Sequence, residues 1–105
     1  MKFSYHVAVE REERLTTIAT TIGFGKVVDT FYRKEKNLNE IRSYSITDTG
    51  VLIIKDESEK YLITAYAVRA KKLASFYKER GCALAPSYLI QIAKNNEKKR
   101  KYLFD

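Results

Sequence analysis

The single histidine of this 105-residue chain, His6, stands just ahead of Arg11 and Arg14 in the stretch SYHVAVEREER. Imidazole is the one side chain whose ordinary pKa makes it a ready base near neutrality, and guanidinium groups grip a phosphate bidentately without titrating. Much later, YLITAYAV places Thr64 and Tyr66 two residues apart. In a strand that spacing sets a hydroxyl and a phenol side by side on one face, opposite Ile63 and Ala65. A base, fixed positive charge and two hydroxyl groups suit proton transfer beside a phosphate. A plainer reading stands next to it: His6 as an ordinary residue of a helix start, Glu10 and Arg14 as an i, i+4 pair on a solvated face, Thr64 and Tyr66 as common strand residues.

The elements that must position these groups follow from periodicity. Ala8, Arg11, Leu15, Ile18 and Ile22 step along one helix face, so a helix is expected from Tyr5 or Val9 to Ile22, closed by Gly23. KVVDTFY at 26–32 reads as a short strand or a further helical turn, and RKEKNLNE at 33–40 as a polar loop. IRSYSIT, VLIIK and YLITAYAV are three strand-like runs separated by DTG and DESEK, which predicts an antiparallel meander. The apolar centre of that meander calls for cover on both faces, with the N-terminal helix over one of them. RAKKLASFYKERG at 69–81 is amphipathic through Leu73, Phe76 and Tyr77 and stops at Gly81. A last helix begins at Pro86, and the basic block Lys94–Lys101 behind it is expected to fray. The fold class is therefore α+β: an N-terminal helix packed on an antiparallel sheet of three to four strands, with two C-terminal helices. One domain spans 1–105, divided into a helix-and-sheet core over 1–67 and a helical extension over 68–105.

Composition narrows the function classes. Twenty Lys and Arg against thirteen Asp and Glu give a formal charge of +7, which favours an anionic partner such as nucleic acid. Cys82 is alone and lies in an apolar GCALA context suited to burial; with one His it makes no zinc site of the usual kind, so neither metal nor cofactor is expected. GFG at 23–25 is too short for a phosphate loop or a dinucleotide fingerprint. Neither an apolar run near 18 residues nor a signal-peptide pattern is visible, so a cytoplasmic protein without membrane contact is expected.

Taken together, FSYHVAVEREERL, RSYSITDTGVLIIKD and LITAY resemble the barnase, EndoU, colicin and RelE-like superfamily of small nucleases. The resemblance implies a toxin-like or phage-type endoribonuclease that needs no metal. It also implies a site made of His6, Arg11 or Arg14, Thr64 and Tyr66. In that chemistry a ribose 2′-OH attacks the adjacent phosphate, with His6 as base, Arg11 and Arg14 against the developing negative charge, and Thr64 and Tyr66 positioning the strand. The chain departs from the pattern at RLTT, and its last third continues past the core strand, where it either widens the RNA surface, covers the site or binds another protein. Arg42, Lys55, Arg69, Lys71, Lys98, Lys99 and Arg100 are the expected nucleic-acid contacts.

Two other readings are open. One is a small basic protein of mobile-element origin that binds nucleic acid, or inhibits a partner protein, without turnover. The other is a retired nuclease fold whose eight tyrosines form an oligomer interface. An inhibitor or antitoxin is an expected partner of the enzyme.

Overall fold

The computed structural model describes residues 5–35, 39–81, 84–99, 103 and 104, and of residues 5–11 the backbone only. Chain order is α1 (Tyr5–Thr21), β1 (Val27–Glu35), β2 (Glu40–Thr47), β3 (Val51–Asp56), β4 (Leu62–Ala67), α2 (Ala70–Glu79) and α3 (Ser87–Glu97). The four strands form one antiparallel sheet in the order β1-β2-β3-β4. This is the α+β arrangement expected, with four strands.

Helix α1 ends where its periodic residues end. The amides of Ile22 and Gly23 both bond the Ile18 carbonyl, at 3.1 and 2.7 Å, and Gly23 takes φ +72°, the left-handed closure that a Cβ would oppose. Strand β1 is longer than the sequence pattern implied. Arg33, Lys34 and Glu35, expected in a loop, pair with Arg42, Ile41 and Glu40 of β2. They read as loop because they are charged, yet an edge strand has one side open to water and carries charge without penalty.

The meander is joined by two side-chain-braced turns. In Thr47–Gly50 the Gly50 amide bonds the Thr47 carbonyl at 3.1 Å, and the Thr47 hydroxyl receives the Val51 amide at 3.1 Å. In the second turn the Asp56 carboxylate accepts the Ser58 hydroxyl at 2.6 Å and the Tyr61 amide at 3.1 Å, which together hold its pKa below the usual carboxylate value.

Both faces of the sheet are covered. Phe31, Tyr44, Ile46, Leu52, Ile54 and Tyr66 face α2 and α3 and pack on Leu73, Phe76, Tyr77 and Leu89. Val51, Ala65 and Ala67 face the other way, onto Ile18 of α1. The register slips between Val27 and Asp29 of β1 and again in β4, where Ile54 pairs with Thr64 but Lys55 with Leu62. The skipped residue, Ile63, packs with the α2 and α3 layer instead of opposite Tyr66 as strict alternation required. A bulge of this kind gives two neighbouring residues the same side.

The basic C-terminal stretch is not simply a frayed tail. Lys94 lies within α3, and Asn96 is buried. Further on, Leu103 and Phe104 are buried on the α1 side, where the Arg69 guanidinium lies 4.4 Å from the Phe104 ring centre. The tyrosines divide, with Tyr44, Tyr66 and Tyr77 buried and Tyr32, Tyr61 and Tyr88 exposed. Cys82 lies outside the described residues, while Leu84 of the same apolar run is exposed.

Two substitutions check these points by urea unfolding. Gly50 has φ +82°, and a Cβ there would lie 2.7 Å from Asn96 Nδ2, so Gly50→Ala is expected to cost about 2–3 kcal/mol. Leu103→Ala is expected to cost about 2–5 kcal/mol as a buried truncation; a change within about 0.5 kcal/mol, ordinary for a surface site, would return the C-terminus to a frayed tail.

Candidate nucleic-acid site

Cross-strand register lays out the candidate site as rows on the α2 side of the sheet. One row runs Phe31, Tyr44, Ile54, Thr64, each the partner of the next. Tyr66 lies one row inward, paired with Leu52. One row outward, Arg33 of β1 is the partner of Arg42 of β2. Thr64 and Tyr66 thus share a pleat, as their spacing predicts, at roughly 7 Å along the strand.

The two hydroxyl groups each receive a cation. Arg14 of α1 donates from Nη1 to Thr64 Oγ1 at 3.3 Å. Helix α1 covers the opposite face, but β4 is the edge strand, so a long side chain can reach round to the Thr64 pleat. Lys72 of α2 donates from Nζ to Tyr66 Oη at 3.0 Å and lies 5.1 Å from the ring centre. A phenol that accepts through its oxygen keeps its own proton to donate. Tyr66 is 5% exposed, so α2, part of the C-terminal extension, lies over the candidate site.

Helix α2 crosses the sheet from β4 to β1. Lys72 sits at Tyr66, while one turn later Phe76 meets Tyr44 and Phe31, with ring centres 5.5 and 6.5 Å away. At its far end Glu79 faces Arg33 at 3.8 Å and Arg80 reaches Asp29 at 3.4 Å. Arg42 is held by Glu40 at 2.7 Å. Each of Arg33 and Arg42, whose like charges would repel as direct cross-strand partners, thus has a carboxylate of its own.

The remaining expected contacts scatter. Lys55 is the partner of Ser43 and so faces the α1 side; Arg69 is engaged on Phe104; Lys71 is exposed on α2, and Lys98 and Lys99 are exposed beyond α3. His6 lies in the first turn of α1 and Arg11 further along it; their side chains, and Arg100, lie outside the described residues. Residues that sequence reasoning passed over are Arg33 and Lys72. Once β1 extends to Glu35, period two from Phe31 selects Arg33. Lys72 precedes Phe76 by four residues, so it borders the buried stripe of α2, whereas Lys71 does not. Among the described residues no three His, Cys, Asp or Glu side chains gather as a metal site, and no helix is long and apolar enough to cross a membrane.

Comparison with protein-family models, curated proteins and solved structures found no match to this chain.

Two phenols beside the site are tuned upward. Burial first, then a hydrogen bond to Glu35, raises the pKa of Tyr44; burial and then Asp29 do the same for Tyr77. A group whose pKa is raised by folding contributes stability that is complete below the unfolded value and lost as pH climbs toward the folded one. Stability is therefore expected to be insensitive to these two phenols below about pH 10 and to fall above it. Ultraviolet titration should show them ionising only with unfolding; all tyrosines titrating together near pH 10 in the intact fold would contradict this.

Proposed function

We propose that the protein acts on RNA as a metal-independent endoribonuclease, at the end of the sheet where Arg14 meets Thr64. The observation that carries the reading is the pair of cations, Arg14 and Lys72, each hydrogen-bonded to one of two hydroxyls two residues apart on β4. Arg33 and Arg42 in the outer row add positive charge. The sequence resemblance supplies the rest of the reading, including His6 as base and Arg11 as a further cation. It also supplies the toxin-like or phage setting, the cytoplasmic location and an inhibitor as partner.

In this mechanism the 2′-oxygen forms a bond to phosphorus as His6 takes its proton. The bond from phosphorus to the 5′-oxygen breaks, and that oxygen takes a proton from water at the open edge of β4. Charge developing on the phosphoryl oxygens is met by guanidinium and ammonium groups that are already in place and need no reorganisation. Thr64 orients the strand by its hydroxyl, and Tyr66, buried beneath α2, holds the Lys72 ammonium in place.

A second reading has its own support. Because Tyr66 is covered by α2, the same cations suit a module that binds RNA without cutting it. Incubation with transfer RNA and a structured RNA in EDTA separates the two. The enzyme reading expects products ending in 2′,3′-cyclic phosphate. It also expects a loss of roughly 10²–10⁴-fold in His6→Ala and about 10²-fold in Arg14→Ala, with RNA binding retained in the former. Intact RNA in every reaction, together with salt-sensitive binding, would leave the binding module.

A further inference from the structure

A cleft of about 500 Å³ opens between β1 and α2, at the opposite edge of the sheet from Thr64. Phe31, Tyr44 and Phe76 form its apolar wall, Arg33 and Arg80 its cationic rim with Glu79 beside them, and Lys34 lies at its edge on the next pleat of β1. Arg80 lies over the Phe31 ring, 4.6 Å from its centre, and its side chain is half exposed to solvent. A smaller hollow of about 100 Å³ adjoins it, shares Arg33 and Phe76, and is also lined by Lys72, the residue that holds Tyr66. The cleft and the candidate site are thus linked along one flank of α2.

We propose that this cleft binds one unpaired nucleotide of a single strand, its base stacked on Arg80 and its phosphate held by Arg33. The chemistry fits each part. Bases splayed out of a strand are recognised by stacking on aromatic rings and guanidinium planes, and the fork of Arg33 suits phosphate oxygens. The resident ion pairs do not stand in the way. Arg33 with Glu79, and Arg80 with Asp29, are half-exposed pairs of a kind that contributes little, about 0–1 kcal/mol, so each guanidinium exchanges its partner readily. Base-paired nucleic acid does not enter, since its bases are stacked and its edges turned inward. The inference deepens the proposed action on RNA by naming the form of strand that is held, and it stands whether or not the strand is cut.

The test uses the full chain carrying His6→Ala, so that no cleavage confuses the reading, with fluorescein-labelled oligouridylate and a blunt RNA duplex of equal length. Fluorescence anisotropy in EDTA at several salt concentrations gives Kd and its salt slope. Oligouridylate is expected to bind at least tenfold more tightly than duplex. Arg33→Ala should weaken it about five- to tenfold and lower the salt slope by about 0.7, the single-strand value per phosphate. Lys78→Ala, on the same helix but outside the cleft, should change it less than twofold. Circular dichroism confirms that each variant is folded, and uridine 5′-monophosphate should compete in the His6→Ala chain but not when Arg33→Ala is added. Equal affinity for duplex, or an equal effect of Lys78→Ala, would show diffuse charge and overturn the proposal. Binding that behaves as expected in a protein that never cuts RNA would leave the cleft and remove the nuclease.

Discussion

The end of α1, the entry to β1, the exit from β4 and the body of α3 all hydrogen-bond to the turn Thr47–Gly50. The Thr49 hydroxyl donates to the Gly23 carbonyl at 2.8 Å, and the Lys26 amide donates to the Asp48 carboxylate at 2.9 Å. The Val68 amide reaches the Gly50 carbonyl at 3.0 Å, and Asn96 donates to the Thr49 carbonyl at 2.9 Å. Only glycine serves at position 50, because a side chain there would collide with Asn96 and would have to hold a left-handed backbone. This turn therefore fixes where α1 ends on the sheet and hence where Arg14, seven residues before that end, arrives. It lies at the far end of the strands from Thr64, so the covered, hydrogen-bonded end and the charged end are separate parts of the same sheet.

Charge gathers at that second end for a physical reason. The α2 layer crosses obliquely from β4 to β1, and its apolar stripe of Leu73, Phe76 and Tyr77 covers the middle of the strands. Arg33 and Arg42 follow in the next row, with Glu35 and Glu40 paired beyond them; the Arg33 side chain is half exposed, whereas that of Arg42 is largely covered. Lys72, on the border of the stripe, keeps its stem along the core and its ammonium on the Tyr66 oxygen, as long cationic chains do at such boundaries. Carboxylates of Glu40 and Glu79 balance the row in the free protein, and an incoming phosphate would compete with them for the same guanidinium groups.

Much of the fold was legible in the sequence. The three runs from Ile41 to Val68 match the strands to within one residue at each end because DTG and DESEK are strong turn signals, and Gly23 and Pro86 marked helix ends through backbone preferences that need no tertiary context. What was hidden depended on neighbours. Arg33–Glu35 form strand because β2 offers a ladder to them, and Leu103 and Phe104 are buried because the α1 side leaves an apolar space. Ile63 changed sides because a bulge interrupts alternation. The candidate site was half visible: Arg14 and Thr64 were both named through the resemblance, but their contact comes from the fold, and Arg33 and Lys72 emerge only once strand extension and helix phase are known. Tyr66 was correctly placed on the Thr64 face, but its burial beneath α2 depends on a helix that local pattern could locate and not orient.

The most direct test of the claim that the α2-side end of the sheet receives a nucleic-acid strand is an amide chemical-shift map of His6→Ala titrated with oligouridylate. The account predicts shifts concentrated at Arg14, Arg33, Lys34, Arg42, Thr64 and Lys72, with the Thr47–Gly50 turn unmoved. Shifts confined to Lys98 and Lys99, or spread evenly over the cationic surface, would contradict it.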